Sequence, residues 1–129
     1  MMRDMGLLEN TYLIDMKLPG LNEYTKVNRY NKYKANSEKQ KIQSDIGFFL
    51  RNMPVYTKPI IIHFLWFEEN AKRDLDNISF AKKYILDTMV NLGKIKNDSQ
   101  KYVRGFSDRV KVDRKGRARV YLQIDECNG

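Results

Sequence analysis

Between residues 11 and 18 the chain reads TYLIDMKL, with apolar and polar positions alternating at a period of two, and PGLN at 19–22 follows with turn residues. A strand is predicted there. The next stretch, EYTKVNRYNKYKAN (23–36), is polar, rich in Lys, Asn and Tyr, and reads as a loop. Ile42, Ile46, Phe49, Leu50 and Met53 then recur at helical spacing until Pro54 closes the run. KPIIIHFLWFEE (58–69) carries apolar residues on both faces, the pattern of a central strand. In the following segment Ile78, Ala81, Ile85, Met89 and Leu92 share one helical face, and Gly93 stands where a helix C-terminus favours glycine. The chain then reads as a hairpin: YVRGFSDRVKV, a turn at DRKG, and RARVYLQID. In its last strand Ala118, Val120, Leu122 and Ile124 alternate with Arg117, Arg119, Tyr121 and Gln123, so one face is core and the other basic and aromatic. The expected fold is α+β, with a mixed sheet, two main helices and the coarse order β-α-β-α-β-β.

At 129 residues this is most simply one domain, 1–129, large enough for its own core. No repeat, low-complexity tract or dividing linker interrupts it. IIIHFLWF at 60–67 is far shorter than the roughly 20 residues of a membrane helix. MMRDMGLLEN carries acids where a secretory signal would carry an uninterrupted apolar segment. Cys127 is the sole cysteine, which excludes an intrachain disulfide or a cysteine metal cluster and fits a reducing cytoplasm. Charge adds a partner: 24 Lys+Arg stand against 16 Asp+Glu, a net +8, and clustered cations gain affinity for a polyanion by displacing its counterions.

Against that basic background, KRDLDNISFAKK (72–83) places Asp74 and Asp76 two residues apart, between the apolar strand and the helix that follows. If the link is extended, residues i and i+2 project to one side and the two carboxylates converge, an arrangement that a shared proton or a divalent cation relieves. The competing reading is that Asp76 caps the helix while Asp74 favours its positive end. On a continuous helix Asp76, Lys83 and Asp87 fall within about 20° of one face, and Lys83 and Asp87 form an i, i+4 pair. His63, the only histidine, lies inside an apolar strand with no second histidine or nearby nucleophile in sequence, so a structural role is expected; Trp66 and Phe67 are assigned to the core.

DLDN at 74–77, a lysine early in the next helix, and LDTMVNLGKIKNDSQ ending past Asp98 together resemble the RusA-type Holliday junction endonuclease family, phage-borne members especially. LPGLNEY at 18–24 and the basic, Tyr-rich stretch after it resemble that family's N-terminal segment. The lysine lies three positions further from the acids than in the short form of the motif, leaving Lys82 and Lys83 as candidates, with Lys83 preferred for its relation to Asp87; Asn97 replaces the first acid of D-D-x-Q. The resemblance implies a Mg²⁺-dependent endonuclease that resolves four-way DNA junctions, with Asp74, Asp76 and Asp98 as metal ligands and Lys83 as a cation at the phosphate. Asp87 would orient Lys83 or cap a structural hydrogen bond rather than bind metal.

Lys72 and Arg73 on one side of the acids, and Lys82 and Lys83 on the other, would offset their repulsion of DNA. Asn22, Lys26, Arg29, Lys32, Lys34, Arg117 and Arg119 are the further DNA-contact candidates, with Tyr24, Asn28 and Tyr30 beside them; a solvated loop is the other reading of the 22–34 group. A helix from 77 to 92 separates Asp76 from the loop carrying Asp98 by roughly 24 Å. A homodimer is expected, and antiparallel helices in it would let each site combine Asp74 and Asp76 of one chain with Asp98 of the other; the alternative is that the loop from Gly93 to Lys101 folds back to complete the site within one chain. The rival class is a basic DNA- or RNA-binding module without chemistry, in which acids at these three positions would oppose the ligand. A D-x-D glycosyltransferase is disfavoured by length.

Overall fold

A computed structural model describes residues 9–127. Its elements are β1 (Thr11–Ile14), α1 (Leu21–Tyr30), α2 (Lys32–Leu50), β2 (Ile60–Glu68), α3 (Leu75–Ser79), α4 (Lys82–Asn91), β3 (Val103–Val112) and β4 (Arg119–Glu126). The fold is α+β. A four-stranded mixed sheet has the order β1-β4-β2-β3, with β2 parallel to β3 and antiparallel to β4, and β4 antiparallel to β1.

The central position expected for 58–69 is observed, but only one of its faces is sealed. Ile60, Ile62, Phe64 and Trp66 are buried, while the alternate residues Ile61, His63, Leu65 and Phe67 are half-exposed. Phe67 is thus no core residue; it lies on the open face beside Tyr121, with ring centroids 5.7 Å apart. Beneath the covered face, Ile46 and Leu50 of α2 and Ile85 and Met89 of α4 meet Ile14, Val120, Leu122 and Ile124 in one cluster. The alternation read in the last strand sorts its faces as expected, with Ala118, Val120, Leu122 and Ile124 all buried.

Three sequence expectations are corrected. Residues 23–36 are helical rather than loop: α1 spans most of them, and α2 begins ten residues before Ile42, the first residue of its apolar run. Asn31 makes the change of direction, since its N–H closes α1 on the Val27 carbonyl and its side chain accepts the Lys34 N–H at 3.0 Å to start α2. Lys, Glu, Gln and Ala supply helix propensity here without an apolar stripe, so periodicity is silent. The 77–92 helix is interrupted at Phe80 and Ala81, giving α3 and α4.

Nor do the last two strands form a hairpin: β2 lies between them. The connector crosses the end of β2, where the Asp113 N–H donates to the Glu68 carbonyl at 2.7 Å, and the Asp113 carboxylate folds the turn by accepting from the Lys115 and Gly116 N–H groups. At the other end of the molecule Gly93 ends α4 at φ +73°, and the Lys94 N–H returns to the Met89 carbonyl at 2.9 Å.

Candidate active site

The acidic pair follows the C-terminal end of β2, and an ion network braces the segment that carries it. Glu68, the last residue of β2, is 8 % exposed. The Arg73 guanidinium meets it in a fork, Nε to Oε1 at 2.8 Å and Nη2 to Oε2 at 3.0 Å. Arg73 Nη1 also donates to Glu23 Oε1 at 3.2 Å and to the Leu18 carbonyl at 3.3 Å. One side chain thereby ties the strand end, the turn before α1 and the first turn of α1 together. Burial lowers the Arg73 pKa, but the bonds and charges of Glu68 and Glu23 outweigh it and raise the value. Burial raises Glu23; its own and Gly20's backbone N–H groups, with Arg73, outweigh that and hold its carboxyl below the usual value. Arg73, expected to face DNA, has its charge matched within the chain.

Asp74 has extended backbone (φ −72°, ψ 157°) at the N-cap position of α3, yet its side chain makes no capping bond. Asp76 lies in the first turn, where its carboxylate accepts the Asn77 N–H at 3.0 Å. The capping roles are therefore not those expected: Asp74, rather than Asp76, holds the cap position, and without capping. Both carboxylates are exposed and line one cleft of about 310 Å³ with Leu21, Asn22, Glu23, Lys72, Arg73 and Asn77. Among the described residues neither has an ion-pair partner.

Asn77 forms the wall between the acids and α1. Its side-chain oxygen accepts the Asn22 N–H at 3.0 Å. A Cβ on Gly20 would lie 2.5 Å from that oxygen and 2.7 Å from the Asn77 carbonyl, so the PGLN turn docks there only with glycine.

The two candidate lysines separate clearly. Lys82 is an internal ion-pair residue: its Nζ lies 2.6 Å from Asp108, which also accepts the Trp66 indole N–H at 2.8 Å, and 4.8 Å from the Phe106 ring centre. Lys83 has no carboxylate partner among the described residues, and its Nζ lies 5.7 Å from the ring centre of Tyr24 on α1. Asp87 does not pair with Lys83. It turns to α2, 3.6 Å from Lys39 and 3.5 Å from the Gln43 amide. The break between α3 and α4 also removes the continuous helix on which a shared Asp76, Lys83 and Asp87 face depended.

Asp98 is exposed in the loop between α4 and β3, whose ends are bonded to the start of β2: the Tyr56 N–H donates to the Lys94 carbonyl and the Ile60 N–H to the Tyr102 carbonyl. Asp74 and Asp76 follow the other end. The nine residues of β2 separate the two ends by about 26 Å at 3.3 Å per residue. Among the described residues no group of three His, Cys, Asp or Glu side chains is placed to hold one ion.

Arg117 and Arg119 lie at the acid-pair end of the sheet, since Arg119 is opposite Phe67. Arg117 pairs with Asp15 at 2.9 and 2.5 Å, while Arg119 pairs with Asp113 at 3.2 Å and covers the Phe67 ring at 4.1 Å. Asn22, Lys26, Arg29, Lys32 and Lys34 are exposed along α1 and the start of α2, and Lys72 is exposed in the cleft wall.

One grouping escaped the sequence. On the open sheet face His63 Nδ1 lies 2.6 Å from Ser107 Oγ and Nε2 lies 3.0 Å from Asp125, so a hydroxyl does stand beside the histidine. It was invisible because the hairpin expectation placed the last two strands side by side, whereas β2 between them brings Ser107 and Asp125 to opposite sides of His63. Both ring nitrogens have partners, and the side chain is 39 % exposed on the open face. A shallow depression of about 680 Å³ accompanies this face, lined by Leu65, Phe67, Arg109, Lys111 and Tyr121 among others. No family model matches the chain, and no curated protein matches it.

Proposed function

We propose that the chain is a RusA-type endonuclease that cuts branched DNA with Mg²⁺, acting as a homodimer on DNA in the cytoplasm. The observation that carries this reading is the exposed Asp74 and Asp76 pair, without an ion-pair partner among the described residues of a chain of net charge +8 and presented in one braced cleft. Hard carboxylate oxygens in an open cleft suit Mg²⁺, an ion that binds through one or two carboxylates plus substrate phosphate and water. When bound it would relieve charge on the scissile phosphate and activate water.

The chain's own residues do the rest. Glu68, Arg73 and Glu23 hold the segment carrying the acids, and Asn77 locks it to α1. Of the two candidate lysines, Lys82 is committed to Asp108, while Lys83 has no carboxylate partner among the described residues and can meet a phosphate. Lys72, Lys26, Arg29, Lys32 and Lys34 supply sequence-independent phosphate contacts. The separation of Asp98 from the pair favours a third ligand donated across a two-fold axis, which gives two equivalent centres for two symmetric strands.

The same separation also favours the second reading, a binding module without chemistry, in which Asp98 is only a loop residue. Incubation with a synthetic four-way junction and a matched linear duplex, with and without Mg²⁺, decides between them. The expected outcome is Mg²⁺-dependent cutting of the junction alone. Asp76→Asn is expected to fold and to bind the junction while losing cleavage; cutting near the wild-type rate would remove Asp76 from the site.

A further inference from the structure

The corner between α1 and α2 carries two tyrosines more exposed than any other large apolar side chain among the described residues: Tyr30 at 77 % and Tyr33 at 89 %. They flank Asn31, whose extended backbone turns one helix into the next, so both rings stand out at a corner instead of lying along a groove. Tyr24, which looked equivalent in sequence, is different: its ring packs on Phe80 at 4.9 Å and on Tyr84 at 6.4 Å. Single exposed aromatics are ordinary, but the two most exposed large apolar side chains among the described residues standing at one corner are not.

Their surroundings select a ligand. Between Glu23 and Glu38 the chain carries Lys26, Arg29, Lys32 and Lys34 and no acidic residue. All four are exposed. A field of one sign with bare aromatic rings inside it suits a strand that presents phosphates on one side and unstacked π-faces on the other. Apolar protein partners would leave four cations to be desolvated without counter-charge.

We infer that Tyr30 and Tyr33 form a stacking platform for unpaired DNA bases, with the four cations holding the phosphates of the same strand. The inference deepens the branched-DNA reading and rests on it, since a branch point is where bases are free to leave the stack. Helix α1 begins at the acid-pair cleft, with Leu21, Asn22 and Glu23 in its wall, and Tyr30 is its last residue. At 1.5 Å per residue the ten residues of α1 place the platform about 15 Å from the cleft.

The test uses a fluorescein-labelled single-stranded oligonucleotide, the same strand with its bases replaced by abasic sites, and vesicles rich in phosphatidylserine, with binding followed by anisotropy and by co-sedimentation. The wild-type chain is expected to prefer the strand with bases, because the abasic strand keeps every phosphate and loses every ring. Tyr30→Ala and Tyr33→Ala are each expected to weaken binding roughly 5- to 10-fold on the intact strand and little on the abasic one. Tyr30→Phe and Tyr33→Phe, which keep the ring, are expected to behave as wild type. Equal wild-type affinity for the two strands, or a preference that survives both alanines, overturns the inference. Vesicle binding that depends on the same tyrosines also overturns it, in favour of a lipid surface. Tyrosine-dependent strand binding by a chain that cuts no junction would sink the nuclease reading and leave this one standing; junction cutting without base preference would do the reverse.

Discussion

Arg73 shows how a residue's chemistry depends on what it meets. In sequence it is one of several basic residues around two acids; in the fold it is the brace of the site, matched by Glu68 and Glu23. A lysine could not replace it, since the fork to Glu68 and the bonds to Glu23 and Leu18 need a planar group with several fixed donors. Glu23 makes this brace sensitive to acid. Its folded pKa lies below the ordinary 4.5, so its contribution to stability is complete above about pH 4.5 and is lost as pH falls through the lowered folded value. Urea unfolding of wild type and Glu23→Gln is expected to show a gap that is constant near neutral pH and closes on acidification below about pH 4.5. A gap that widened with acid would contradict this sign.

Among the elements, the joint between α1 and α3 carries the most functional weight. The PGLN turn was legible as a turn, but not that its glycine faces the DLDN segment across more than fifty residues of chain. Gly20→Ala adds a Cβ against the Asn77 oxygens, which can be relieved only by moving the turn away from the acidic pair. The expected loss is about 1–3 kcal/mol in stability, measured by urea denaturation, together with reduced junction cutting from the displaced cleft wall. Unchanged stability and cutting would show that the joint is loose. Gly93 shows the opposite degree of legibility: a glycine after an apolar helical run announces a C-terminal cap from local chemistry alone, and φ +73° bears it out.

For the whole molecule the deciding quantity is the length of β2. Because α3 and α4 carry the chain back so that β3 can run parallel to β2, the loop holding Asp98 sits at the start of β2 and the acidic pair beyond its end. If the two ends belong to one centre, the centre must span two chains. Asp76→Asn and Asp98→Asn proteins, each inactive alone, are expected on mixing and subunit exchange to recover nicking of a single strand, because one heterodimer centre keeps all its acids. No recovery after demonstrated exchange would confine each site to one chain. The large open face of the sheet, where His63, Tyr121 and Phe67 lie, is a second consequence of scale: helices of this number cover one side only.

What the sequence determined by itself is everything written in local pattern. The alternating faces of the last strand, the central position of 58–69, the apolar stripes of two helices, the turn chemistry and the placement of two acids between a strand and a helix all depend on residues a few positions apart, where periodicity and backbone preference act directly. The polar helix at 32–41 escaped because propensity without burial leaves no apolar period to read. Tertiary structure alone decided that β2 separates β3 from β4, that among the described residues Arg73 and Lys82 meet carboxylates while Lys83 does not, and that Asp98 and the acidic pair lie at opposite ends. These outcomes depend on which sheet edge a strand can reach and on pairs of side chains far apart in the chain, where the free energy is a sum over many weak contacts and no single segment carries it.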